Sequence, residues 1–137
     1  MKRHPSIYII IGLFISLIGG VATANPCDDI DRSLSETRKA KLAPIIAMEE
    51  KVERVKVLQS FRSGNWHIVY IANYVSDEPF LFYHGDPLTT APIIAWSGAA
   101  TIYEEQEMKI WVLKNVPGIP ENLASCFAWH VTLDRDQ

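Results

Sequence analysis

Cys27 and Cys126 are the two cysteines of this 137-residue chain, and they stand close to the two ends of everything in it that looks able to fold. If they join, the fold must bring its own start and finish together. The case for joining comes from the residues ahead of them. Lys2, Arg3 and His4 make a short basic start, and residues 7–18 are mostly apolar, with Tyr8, Gly12 and Ser16 the softer positions. Gly19-Gly20 follows, and Ala22-Thr23-Ala24 supplies the small-x-small pattern of a cleavable export signal. The apolar run falls short of the ~20 residues a membrane-spanning helix needs. Residues 1–24 are therefore expected to be removed, leaving a periplasmic or secreted protein with no stable membrane anchor. Ala24-Asn25-Pro26 ahead of Cys27 does not resemble a lipoprotein lead-in. In an oxidising compartment an even pair of cysteines is read first as a disulfide. The chain-entropy argument allows up to ~4.7 kcal/mol for a loop of about a hundred residues. The alternative is two free thiols, with Cys126 buried as a small apolar residue.

Cleavage after Ala24 leaves residues 25–137, enough for one domain with its own core. The whole chain carries a formal charge of −3, which becomes −5 once Lys2 and Arg3 are gone. A mildly acidic domain without a basic run has no electrostatic reason to seek nucleic acid or an anionic membrane.

Ser33 and Glu36 have capping-box spacing, and a helix is expected over residues 34–50. Leu34, Leu42, Ile45 and Ile46 share one helical face, with Arg38 its one charged member; Pro44 should kink or restart the helix. The period then changes from 3.6 to 2. Val55, Val57, Gln59 and Phe61 alternate with Arg54, Lys56, Leu58, Ser60 and Arg62 as on a strand with one buried face. Ser63-Gly64-Asn65 is a hairpin-type turn, residues 66–74 form a strand apolar on both faces, and residues 80–83 resume after Ser76-Asp77-Glu78-Pro79. Residues 93–96 make a further short strand. Thr101 and Glu104 start a second helix, with acidic residues leading and Lys114 closing it; a strand with Met108, Ile110 and Val112 on one face is the alternative. After Pro117-Gly118-Ile119-Pro120, residues 126–133 read as a final strand.

These elements predict an α+β single domain, an antiparallel meander with helices packed on one face. The order of elements resembles that of cystatin-like proteins, in which one helix crosses a meander. The likeness is architectural and carries no function.

Candidate chemistry gathers at His84-Gly85-Asp86-Pro87, at the end of a strand and the start of the longest break. His84 could serve as a general base oriented by Asp86 or Asp77. Those residue types are equally the usual choice for a turn. Ser97 before Gly98 lacks the surroundings of an activated nucleophile. His67, His84 and His130, on different expected strands, could meet around zinc or copper, but no pair has ligand spacing, so neither metal nor cofactor is expected. Glu104, Glu105 and Glu107 read as a solvated first helical turn. Trp66, Trp96, Trp111 and Trp129 join Tyr70, Tyr74, Phe80, Phe82 and Tyr83 in an aromatic population suited to a core or a recognition face.

The expected function is a small exported binding or interaction domain, an inhibitor or immunity-type protein acting on an envelope partner or small ligand. Trp66, Tyr70, Tyr74, Tyr83, His84 and Trp96 are its candidate binding residues. A small hydrolase centred on His84 and Asp86, and a structural envelope protein that self-associates through a strand edge, are the alternatives.

Overall fold

The computed structural model describes residues 19–20 and 24–135; the basic start, the apolar run and most of the cleavage motif of the expected export signal lie outside the described residues. The order is α1 (Glu36–Glu50), β1 (Lys56–Ser63), β2 (Trp66–Ala72), β3 (Phe80–His84), β4 (Ile94–Trp96), α2 (Glu105–Asn115) and α3 (Glu121–Leu133). The strands form one antiparallel sheet in sequence order, β1-β2-β3-β4. The expected α+β meander is therefore present. Cys27 and Cys126 are joined by a disulfide that ties the N-terminal segment to α3.

The helices are divided between the two faces of the sheet. Phe61, Ile68, Tyr70, Phe80 and Phe82 pack with Val112, Leu123, Phe127 and Val131 of α2 and α3. Val57, Val69, Ile71, Leu81 and Tyr83 pack with Leu42 and Ile46 of α1. The two helices expected together on one face therefore lie on opposite faces, α2 joined by α3 on one and α1 on the other. The physical reason is visible in β2 and β3. Both strands are apolar at nearly every position, and a sheet with two apolar faces must bury both.

The alternation expected in β1 is interrupted. Val57 pairs with Ile71, but Gln59, not Leu58, pairs with Tyr70, so a bulge at this point shifts the phase. Val57 consequently faces α1, whereas Phe61 faces α2 and α3. No residue-type signal marks the bulge.

Helix α1 starts two residues later than its sequence spacing suggests. Ser35 is the N-cap, accepting the Arg38 amide at 3.1 Å. Ser33 instead hydrogen-bonds Asp31, its amide and hydroxyl donating to Oδ1 at 2.9 and 2.6 Å. The helix runs through Pro44, which is solvent-exposed, and ends at Lys51 in the left-handed region (φ 55°). In α2 the expected helix forms, not the strand alternative. The Thr101 amide donates to the Glu104 carboxylate at 2.6 Å, so half of the expected capping box forms just ahead of the helix.

The final element is a correction: residues 126–133 belong to helix α3, not to a strand. A window opened at Cys126 hides the pattern. Taken from Pro120, the buried Leu123, Ala124, Phe127, Ala128 and Val131 recur at spacings of three and four, which is a helical stripe. Pro120 stands at the N-cap, ahead of the first turn, where it sacrifices no intrahelical hydrogen bond.

Candidate functional site

The α1 face of the sheet is apolar only where α1 lies over it. Beyond the N-terminal end of α1 the same face turns polar. His67 pairs with Arg62, and Val69 with Ser60, so Ser60, Arg62 and His67 continue the Val69 and Ile71 row by the period-two rule. Arg38 stands one turn ahead of Leu42 on the inward stripe of α1. Asp31 and Ser33 come from the entering segment, Asn65 from the hairpin turn and Asp86 from the loop after β3. Together these side chains line a cleft of about 330 Å³.

Each wall is fixed by bonds the local sequence dictates. Asp31 exchanges backbone hydrogen bonds with Arg62 at 3.0 and 2.8 Å, forming an isolated bridge beside β1. Asp86 Oδ1 accepts from the Leu88 amide at 3.0 Å and from Arg38 Nη2 at 2.9 Å, tying the loop to α1. Its carbonyl accepts from the Thr89 and Thr90 amides, both at 2.9 Å, so Gly85-Asp86-Pro87 is a turn as well as a wall. Gly85 adopts φ 116°, and a Cβ there would stand 2.8 Å from Thr90 Cγ2, so only glycine fits. Arg62 Nε donates to the Gly64 carbonyl at 3.0 Å.

The electrostatics follow from these contacts. The Ser33 hydroxyl and amide lower the Asp31 carboxyl below its ordinary range. The Leu88 amide, then Arg38, do the same for Asp86. Burial lowers His67, and the charges of Arg62 and Arg38 push in the same direction, against Asp86 and a hydrogen bond to the Gly85 backbone. His67 is therefore neutral at pH 7. It is 7% exposed, and its buried Nδ1 has no hydrogen-bond partner among the described residues. The cleft thus carries two positive and two negative side chains around a neutral imidazole.

The residues singled out by sequence are dispersed. His84 shares the face of Trp66, its cross-strand partner, and stacks on that indole with ring centroids 4.2 Å apart. Asp86 turns to the opposite face, where it meets Arg38, so the sheet separates His84 from Asp86. Trp66 is half-buried, and Gly118 lies so close that a Cβ there would be 3.3 Å from the indole. Tyr70 stacks on Phe80 at 4.1 Å and donates its hydroxyl to Glu78 at 2.5 Å. Trp96 packs edge-on against Phe127 at 5.6 Å. Tyr83 lies wholly buried under α1, its hydroxyl pKa raised by burial and by Glu49 and Glu50. Tyr74 is exposed, with Arg54 over its ring at 4.3 Å. Most of the aromatic set is core.

The three histidines do not converge. His67 lines the cleft, His84 is on the far face, and His130 sits in α3 with its ring 4.9 Å from Phe61. Among the described residues no cluster of three His, Cys, Asp or Glu side chains could hold a metal ion. Of the cleft residues, sequence reasoning reached Asp86 as a site and His67 only as a ligand candidate; it missed Arg38, Arg62, Ser60, Asn65, Asp31 and Ser33 as a group. One signal was available. Arg38 interrupts the apolar stripe of α1, and a charged residue on an inward stripe needs a polar counterpart on the surface it faces. The chain matches no protein family, no curated protein and no solved structure.

Proposed function

We propose that the chain is a small exported binding domain whose working surface is the polar cleft at the N-terminal end of α1. The observation that carries this reading is the gathering of Arg38, Arg62 and the buried, neutral His67 around one cavity. Buried polar groups are ordinarily hydrogen-bonded, and His67 Nδ1 has no such partner among the described residues. The surface expected from the aromatic residues is less suited to the task, because α2 and α3 cover most of it. Export is supported by the pattern of residues 2–24 and by the Cys27–Cys126 disulfide, since such bonds persist in oxidising compartments.

The test is retrieval of bound material from envelope extract by the oxidised protein and three variants. Arg62→Gln and His67→Gln should lose what the parent retains, and Trp66→Ala should keep it. Loss with Trp66→Ala and retention with both cleft variants would move the working surface to the aromatic side. Fractionation with sequencing of the mature N-terminus should find an exported protein beginning at Asn25; a cytoplasmic protein with residues 1–24 intact would overturn the export reading.

A further inference from the structure

The cleft is built from charges that are each only partly used. Asp31 commits Oδ1 to Ser33, and Asp86 commits Oδ1 to Arg38 and Leu88. Oδ2 of each carboxylate takes no hydrogen bond from the described residues. Arg62 commits Nε to Gly64, which leaves its two terminal amino groups as donors. His67 Nδ1 is buried without a hydrogen-bond partner among the described residues. A lining with two positive and two negative side chains gives no net attraction to a simple anion or a simple cation. It does offer separate stations for both signs. A ligand with a carboxylate for Arg62 and a cationic donor for the free Asp31 and Asp86 oxygens would satisfy these groups together. At about 330 Å³ the cavity has room for one such small molecule.

We infer that the cleft binds a free α-amino acid as its zwitterion, the carboxylate on Arg62 and the ammonium between Asp31 and Asp86. This deepens the proposed function and rests on its identification of the cleft as the binding surface. The two charges of an α-amino acid are separated by a single carbon, so the pair is recognised as a unit. Removing either charge should cost more than removing a side-chain contact, because each would form charge-assisted hydrogen bonds with a charged group of the cleft.

The test titrates the oxidised, isotope-labelled protein with the free amino acids of both hands. Any that binds is followed by its des-amino and decarboxylated analogues. Binding is read by amide shifts at Asn65, His67 and Gly85. At least one zwitterion should bind, its two analogues should bind about tenfold or more weakly, and Arg62→Gln should weaken the zwitterion by a similar factor. Asp31→Asn should weaken the zwitterion and leave the des-amino analogue unaffected. No binding by any amino acid, or equal binding of the des-amino analogue, would overturn the inference. If extract retrieval still depends on Arg62 in that case, the cleft remains the binding surface and only the ligand class falls. If retrieval is also unaffected by Arg62→Gln, both readings fail.

Discussion

The two faces of this sheet are made from the same two central strands, yet they end differently. On one side Phe80 and Phe82 meet Phe127 edge-on at 5.2 and 5.1 Å, and Trp96 and Trp111 extend the cluster to its margin. On the other, Leu42 and Ile46 seal only the middle, and the row beyond them is Ser60, Arg62 and His67. Two helices cover one face and one helix covers the other. The lesson is that the cleft arises from incomplete coverage. One helix shields only part of a sheet face, and the uncovered end must be polar or it would expose apolar surface to water.

If the two faces differ as described, truncation should be costly where packing is complete and nearly free in the cleft. Phe127→Ala should have the largest effect, lowering stability by about 3–5 kcal/mol in chemical denaturation, since a large ring leaves a closed aromatic cluster. A loss below about 1 kcal/mol would mean that this face can collapse or is wetter than its contacts imply. Reducing the Cys27–Cys126 disulfide should cost about 2–4 kcal/mol, because the bond clips the entering segment to α3. That loss should be accompanied by faster hydrogen exchange in residues 26–33, whose carboxylate and hydroxyl line the cleft.

Ser35→Ala removes the N-cap of α1 and should cost about 1 kcal/mol. Its sharper reading is positional. The first turn of α1 carries Arg38, so the same variant should weaken cleft binding, which no comparable change in α2 should do. The cleft also sets part of the pH dependence. His67 has a folded pKa below its ordinary value, so between the two values the unfolded chain binds more protons. Its contribution to stability is therefore intact above about pH 6.5 and falls as the pH drops below that. Asp31 and Asp86, also lowered, contribute fully above their ordinary carboxylate range and lose that contribution as the pH falls below it. His67→Gln should remove the first component and leave the second; an unchanged pH profile would contradict the burial of that imidazole. The smallest effect is expected from Arg62→Gln, within about 0.5 kcal/mol of the parent, because its guanidinium is exposed and makes a single backbone contact.

Much of this was legible beforehand for local reasons. The meander announced itself through the change of period after residue 54 and the Ser63-Gly64-Asn65 turn, and α2 through Thr101, Glu104 and its closing lysine. Helix α3 escaped because its apolar residues are dense enough to satisfy a strand period within a short window, and only the full stretch from Pro120 separates the two patterns. The site escaped for a different reason. His84 and Asp86 are two residues apart, and sequence proximity suggested a pair. The chain turns sharply at Gly85, so the pair is split across the sheet.

What the sequence alone determined is whatever depends on neighbours along the chain: the apolar character of both faces of β2 and β3, the turns, the helical stripe of α1 with its single charged member, and the type, though not the number, of groups that would need burial. The pairing of Cys27 with Cys126 was inferable from the export-like pattern of residues 2–24 and from the count of two cysteines. What only the tertiary structure decided is which residues share a face. The bulge between Val57 and Gln59 turns Phe61 toward α2 and α3 and brings Ser60 and Arg62 beneath the start of α1. A one-residue change of phase moves every later side chain to the opposite side of a strand. No local signal reports that shift, so the cleft became visible only once the strands were paired.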